Sequence, residues 1–237
     1  MPHSNITATV VVWNDERRLK KLLKHLRPYF ERIVVGVQAS PDHTLQVAEM
    51  YADTVVRDIH HGFGDATYGP LVLPEVRTDW TFKVDADEWP NEELLASLGD
   101  AVKAAHVNSW EAVLIEFKSS IDGQYWDEQH FHMRLFQTRL GWPDTMHSRP
   151  ATDQAGSWVV GNIRHDRSLD EMIQDYLNYY RIGGDHWQWE EHNRMMMFWA
   201  CCGTANVKGW EYVRSFPWWP QVEAISFKHE KPWEKEN

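Results

Sequence analysis

Phe82-Lys83-Val84-Asp85-Ala86-Asp87-Glu88-Trp89-Pro90 is the stretch whose reading decides the fold. A short run with strand character, 80–84, ends abruptly in three carboxylates, and Pro90 then blocks continuation of the ladder. Acid concentrated at the end of a strand calls for a cation. Side chains two apart lie on one face of a regular strand but diverge once the chain leaves it, so Asp85 and Asp87 converge on one ion only if the chain turns between them, which small Ala86 permits. Hard oxygen ligands favour Mg²⁺ or Mn²⁺, ions that keep open positions for water and substrate phosphates. The competing reading is a solvated acidic turn that caps a helix starting near Asn91.

Upstream of this stretch the pattern alternates. Residues 7–13 form a β-branched strand, and 15–26 carry Leu19, Leu22, Leu23 and Leu26 at helical spacing with basic residues on the other face. Residues 33–37 are an apolar strand without alternation, as expected where both faces are covered. Ser40-Pro41-Asp42 reads as a helix start, with Leu45, Ala48 and Tyr51 on one face, and 54–57 give a third strand. Strand, helix, strand, helix, strand predicts a parallel sheet with its ligand outside the carboxyl ends, where Trp13-Asn14-Asp15, Gln38-Ala39-Ser40 and Asp85-Ala86-Asp87 all fall. Residues 60–74 are a Gly-rich loop or short helix bearing His60, His61, Asp65 and Tyr68, either a polar connection or part of a ligand site. Downstream, 91–105 predict a helix and 112–117 a strand; Asp122-Gly123 predict a turn and 131–137 a further strand of a mixed sheet. Asp144-Thr145-Met146-His147 and Ile163-Arg164-His165-Asp166 supply polar groups at the ends of short segments.

Composition narrows the function classes. With 24 Lys and Arg against 35 Asp and Glu, the formal net charge is −11, the wrong sign for gripping duplex nucleic acid through its phosphates. Adjacent Cys201 and Cys202 cannot make a disulfide framework. Residues 1–5 are polar and the apolar run 6–13 is too short to span a bilayer, so a cytoplasmic protein without membrane insertion is expected. Fourteen tryptophans are far above ordinary usage, and Trp187, Trp189, Trp199, Trp210, Trp218, Trp219 and Trp233 crowd the tail. The expected organisation is therefore a domain over 1–167 and a Trp-rich, helical carboxyl-terminal extension over 168–237. Within the extension 169–182 read as a packing helix; 186–199 read as a second one, over the crevice or on a membrane surface, although no Lys/Arg-rich face supports the latter. Trp210, Trp218 and Trp219 suit either core packing or a platform for sugar rings or bases.

The order of these features resembles the family-2 glycosyltransferases of the GT-A fold, in particular a small branch with Asp-x-Asp-Glu after the fourth strand and Arg-Leu-Phe further on. The resemblance rests on Val10-Val11-Val12-Trp13-Asn14-Asp15-Glu16, Ser40-Pro41-Asp42-His43-Thr44, Trp80 to Glu88, and Arg134-Leu135-Phe136 followed by His147, spanning about residues 6–166. It implies a mixed, mainly parallel sheet flanked by helices, and transfer of a sugar from a nucleotide-diphosphate donor to an acceptor with inversion. It further implies Mn²⁺ or Mg²⁺ held by Asp87, with Asp85 on the metal or the ribose and His147, then His165, completing the coordination. Asn14, Asp15, Gln38, Ser40, Asp42 and Asp65 fall to the donor. Gln38 stands where the family usually has an Asp, which leaves the nucleobase open. An inverting mechanism needs a general base beyond the Arg-Leu-Phe strand. Where related sequences show His-Glu this chain has His147-Ser148, so Asp144 is the first candidate, ahead of Asp166 and Asp122. The acceptor is open among glycan, protein, small molecule and modified base. Two other classes remain: a non-catalytic sugar or nucleotide-sugar binding module, and a nucleotidyltransferase. Against the second, no Gly-rich loop with a following basic residue succeeds the first strand.

Overall fold

Apolar β-branched runs covered on both faces account for the centre of the molecule. The computed structural model describes residues 2–59, 67–121, 123–125, 130–143, 149–168 and 171. The chain divides into two units, Met1–Lys118 with Asp127–His165, and Ser119–Trp126 with Asp166–Asn237.

In the first unit β1 (His3–Val12) pairs in parallel with β2 (Phe30–Val37) and with β4 (Trp80–Lys83), and β3 (Thr54–Arg57) pairs in parallel with β2. β8 (His130–Gln137) then runs antiparallel to β4, and β6 (Ala112–Ile121) antiparallel to β8. β9 (Ala155–Arg167) and the two-residue β5 (Trp89–Pro90) complete the order β3-β2-β1-β4-β8-β6-β9-β5. In the second unit the far end of β6 makes a hairpin with β7 (Gln124–Tyr125), turned at Gly123 with φ +79°.

Helix α1 (Glu16–Leu26) buries Leu19, Leu22, Leu23 and Leu26, the stripe expected from their spacing. It packs with α2 (Thr44–Tyr51) and α3 (Glu92–Asn108) on the main core, where Ile6, Ala8, Val10, Ile33, Phe82 and Leu135 are fully buried. Asn91 caps α3 by accepting from the Leu94 amide at 2.9 Å. Among the described residues no helix is long and apolar enough to cross a membrane.

Three expectations need correction. Residues 163–166, expected at the end of a short segment, belong to the 13-residue strand β9. Trp158-Val159-Val160 have strand propensity, but glycines at 156 and 161 punctuate the run, so a strand of this length is not signalled by the sequence. Pro90 does not end the ladder; the chain leaves the sheet after Lys83 and re-enters at Trp89, pairing with Arg164 and Ile163 at the edge, where proline is tolerated. Tyr68, grouped with a polar connection, lies in a helical turn (Tyr68–Val72), the short-helix alternative of that reading, but is fully buried. The readings of 169–182 and 186–199 as helices, and of the tryptophans beyond them, lie outside the described residues.

Candidate active site at the carboxyl ends of the parallel strands

Parallel pairing in register brings the ends of β1, β2 and β4 side by side. The Gln38 amide donates to the Val12 carbonyl at 3.0 Å, and the Val84 amide to the Thr9 carbonyl at 3.1 Å. The two loops that leave β1 and β2 are tied together by side chains. Ser40 Oγ accepts from the Asn14 amide at 2.9 Å, Thr44 Oγ1 from the Asp15 amide at 3.0 Å, and Asp42 from the Glu16 amide at 3.1 Å. Asn14 takes a left-handed conformation, φ +49°, which Asn tolerates better than most residues and which the ties hold in place. Asp15 caps α1 through the Arg18 amide at 3.2 Å. Burial raises its carboxyl above the ordinary value against the opposing pull of Arg18, and the charge of Asp87 pushes the same way. Burial also acts upward on Asp42, but hydrogen bonds from Thr44 and from the Glu16 amide hold it below the ordinary value.

Gln38 is 4% exposed and donates to Thr67 Oγ1 at 2.8 Å, while Thr67 donates to Asp58 at 2.7 Å. Neither Thr67 nor Asp58 was legible as a partner, because the contact depends on the chain returning past the end of β2. Trp13, 36% exposed, leans across the same loops with its indole N–H on the Ala39 carbonyl at 3.1 Å.

After β4 the chain makes one tight turn. The Glu88 amide donates to the Asp85 carbonyl at 3.0 Å, and the Glu88 carboxylate accepts from the Asp85 amide at 2.9 Å. The two carboxylates of the motif then meet different partners. Asp85 accepts from Lys83 Nζ at 2.8 Å and from Arg134 at 3.1 Å. Arg134 also pairs with Glu88, which is 4% exposed, and its guanidinium lies 5.1 Å over the Phe117 ring. Lys83 is enclosed too, with Nζ 5.3 Å from the Tyr68 ring centroid and 5.2 Å from that of Trp142. Burial works to raise the Asp85 carboxyl, but Lys83 and Arg134 together hold it well below the usual carboxylate range. Burial pushes Glu88 the other way, up, with Arg134 opposing and Asp85 adding to the rise.

Asp87, two residues on, faces His165 of β9, whose Nε2 donates to its carboxylate at 3.1 Å; each side chain is 26% exposed. Cis ligands of an octahedral ion with bonds of about 2.1 Å are about 3 Å apart, so this spacing suits one ion shared by the pair. A carboxylate and an imidazole are also a fit donor set for Mn²⁺. Among the described residues no group of three or more His, Cys, Asp or Glu side chains converges for a metal. Asp166 accepts from Ser120 at 2.6 Å in the second unit. Asp65, Asp122, Asp144 and His147 lie outside the described residues. Sequence reasoning passed over Lys83 and Arg134 as site residues. A signal existed, since a basic residue inside an apolar strand such as Trp-Thr-Phe-Lys must find a counter-charge near the strand end.

No protein-family model matches the chain, and no curated protein matches it by sequence. Solved structures do match its shape. S. aureus TarS 1-349 superposes with a TM-score of 0.53 at 14% identity, covering 93% of this chain and 81% of that one. The fold is GT-A. S. aureus TarS 1-349 in complex with UDP gives 0.52 at 14% identity, over 98% and 77% of the two chains. A longer S. aureus TarS chain gives 0.53 at 15% identity over 73% of this chain, which thus matches only 38% of that protein's length. In this chain Asp15 and Asp87 follow the carboxyl ends of the parallel strands β1 and β4.

Proposed function

We propose that the chain is a glycosyltransferase that moves a sugar from a nucleotide-diphosphate donor, with inversion, using a divalent ion held by Asp87 and His165. The observation that carries this reading is the 3.1 Å approach of Asp87 and His165 beside the strand-end loops of β1 and β2. The TarS complex with UDP, on the same fold, supports a uridine or similar nucleoside diphosphate as the donor's leaving group. The bound ion would act as a Lewis acid toward charge developing on the departing diphosphate. His147 is the proposed further ligand.

Each remaining residue has a binding or proton-handling task. Asn14 and Asp15 hold the nucleoside, with Ser40 and Asp42 keeping their loop in shape through the amide ties. Gln38 is proposed on the base side of the donor, Asp65 as a further donor residue, and Asp85 at the ribose. A general base on the face opposite the leaving group removes the acceptor proton; Asp144 is the proposed base and Asp166 the reserve. The Trp-rich extension, 168–237, is proposed to shape the acceptor side, and a modified base, glycan, protein or small molecule all meet the requirement of one nucleophilic hydroxyl or amine.

The deciding experiment is a thermal-shift screen against nucleoside diphosphates and nucleotide sugars, with and without Mn²⁺, on the wild type and Asp87→Ala. A ligand that binds only the native state raises its melting temperature. A Mn²⁺-dependent shift lost in Asp87→Ala, together with loss of turnover, is expected; turnover that survives Asp87→Ala ends the proposal. Asp144→Asn is expected to keep the donor shift and lower kcat by at least about 100-fold, the scale of a lost general base. Binding without turnover in the wild type would point to a binding module instead.

A further inference from the structure

We infer that the outer face of α1 is a docking surface for an anionic lipid membrane, whose phosphate headgroups it meets with a stripe of cations. The sequence concentrates positive charge on this helix. Six of the 24 Lys and Arg, namely Arg17, Arg18, Lys20, Lys21, Lys24 and Arg27, fall between positions 17 and 27 of a chain whose formal net charge is −11. Helical spacing then sorts them. Arg17, Lys20, Lys21 and Lys24 stand at i, i+3, i+4 and i+7, so they form one exposed stripe opposite the buried leucines of the same helix. Arg18 and Arg27 lie on its flanks and are matched, by Asp15 at 3.3 Å and by Asp53 at 3.0 Å. The four cations of the stripe have no carboxylate within 4.0 Å among the described residues. At physiological ionic strength the screening length is about 8 Å, so a ligand at the stripe responds to these four charges more than to distant carboxylates.

Two features favour a lipid surface over a soluble polyanion. Three of the four cations are lysines, compact hydrated charges that suit mobile headgroups, whereas a fixed phosphate is better gripped by the arginine fork. Apolar side chains also flank the stripe. On one side Trp89 is 40% exposed and stacks on His25 of α1, with ring centroids 4.2 Å apart and planes 18° from parallel. His25 Nε2 donates to the Pro90 carbonyl at 2.7 Å, which holds that stack in place. On the other side Lys24 Nζ lies 5.5 Å from the Tyr51 ring centroid, and the neighbouring Met50 of α2 is 71% exposed. Lysines beside an exposed tryptophan are the combination that settles at a headgroup boundary, where charge meets phosphate and the indole meets the acyl margin. A soluble polyanion offers such side chains nothing apolar to enter. The stripe also begins at the crevice, since Arg17 follows Glu16, whose amide is tied to Asp42.

The test is co-sedimentation of the full chain with vesicles of phosphatidylcholine alone and of phosphatidylcholine with about 30 mol% phosphatidylglycerol, at about 0.05 M and about 0.5 M NaCl. The native chain is expected to bind the anionic vesicles at low salt, at least tenfold more weakly at high salt, and the neutral vesicles at least tenfold more weakly still at low salt. Lys20→Gln with Lys21→Gln and Lys24→Gln should lower anionic-vesicle binding at least tenfold with an unchanged melting temperature. The single variants, each expected to lose about twofold to threefold, keep the test open if the triple variant folds poorly. A second triple variant, Arg77→Gln with Lys103→Gln and Lys118→Gln, removes the same charge from other exposed sites and should bind as the native chain does. Equal losses in the two triple variants would assign the effect to net charge and overturn the inference. So would a native chain that ignores anionic vesicles, including one that instead binds inorganic polyphosphate through Lys20, Lys21 and Lys24.

Discussion

Asp85 is a carboxylate whose ionised form the fold favours, and this has a consequence for acid stability. Lys83 and Arg134 hold its folded-state titration below the ordinary value of 3.8 despite burial. A depressed carboxylate contributes stability that is complete above the unfolded value and is lost as pH falls through the folded one. The stability gap between the native chain and Asp85→Asn should therefore be level from neutral pH to about pH 4, then close on further acidification. Because the side chain is 36% exposed, solvent screening limits the gap to about 1–2 kcal/mol. Urea midpoints measured across that pH range check it; a gap unchanged at low pH would mean the ion pairs do not stabilise the fold. That acids gather at this strand end was legible from Asp85-Ala86-Asp87-Glu88. That Asp85 pairs with Arg134 was not, since Arg134 is 49 residues away in sequence.

At the scale of elements, β9 brings His165 to Asp87. Gly161 shows how it passes the start of α3. Its φ is +75°, and a Cβ there would lie 2.3 Å from the Leu94 amide nitrogen and 2.5 Å from the Asn91 side-chain oxygen. The Asn91 oxygen also accepts from the Asn162 amide at 3.2 Å, so one side chain both caps the helix and fixes the strand beside it. Gly161→Ala combines left-handed strain with a backbone clash and should cost about 2–4 kcal/mol. A denaturant midpoint lowered at constant m-value is the expected signature. α1 and β1 were readable because leucine spacing and a β-branched run are dense local signals. β9 was not, because its shape is set by what it runs past.

The whole molecule carries a formal net charge of −11, and a nucleotide-diphosphate donor is itself anionic. Lys83 and Arg134 are already matched by Asp85 and Glu88, so these cations add no net attraction for phosphate. Under the proposed function, a bridging divalent ion would offset that repulsion at this end of the sheet. Chelation with EDTA should accordingly weaken nucleoside-diphosphate binding at least tenfold, about 1.4 kcal/mol or more. Calorimetric titration before and after chelation measures it; equal affinity in both would show that the ion does not bridge protein and diphosphate.

By itself the sequence determined that β-branched runs and leucine-striped helices alternate, that strand ends gather at one edge, and that acids stand there. These features follow from propensity, periodicity and capping, which act over a few residues. Only the tertiary structure decided that Asp85 lies between two cations, that Glu88 is sealed beneath Arg134, and that His165 rather than a nearer histidine meets Asp87 among the described residues. Those facts depend on the register of β8 against β4 and on the path of β9 past α3, where steric fit and charge pairing between distant segments choose among arrangements that local patterning leaves equal.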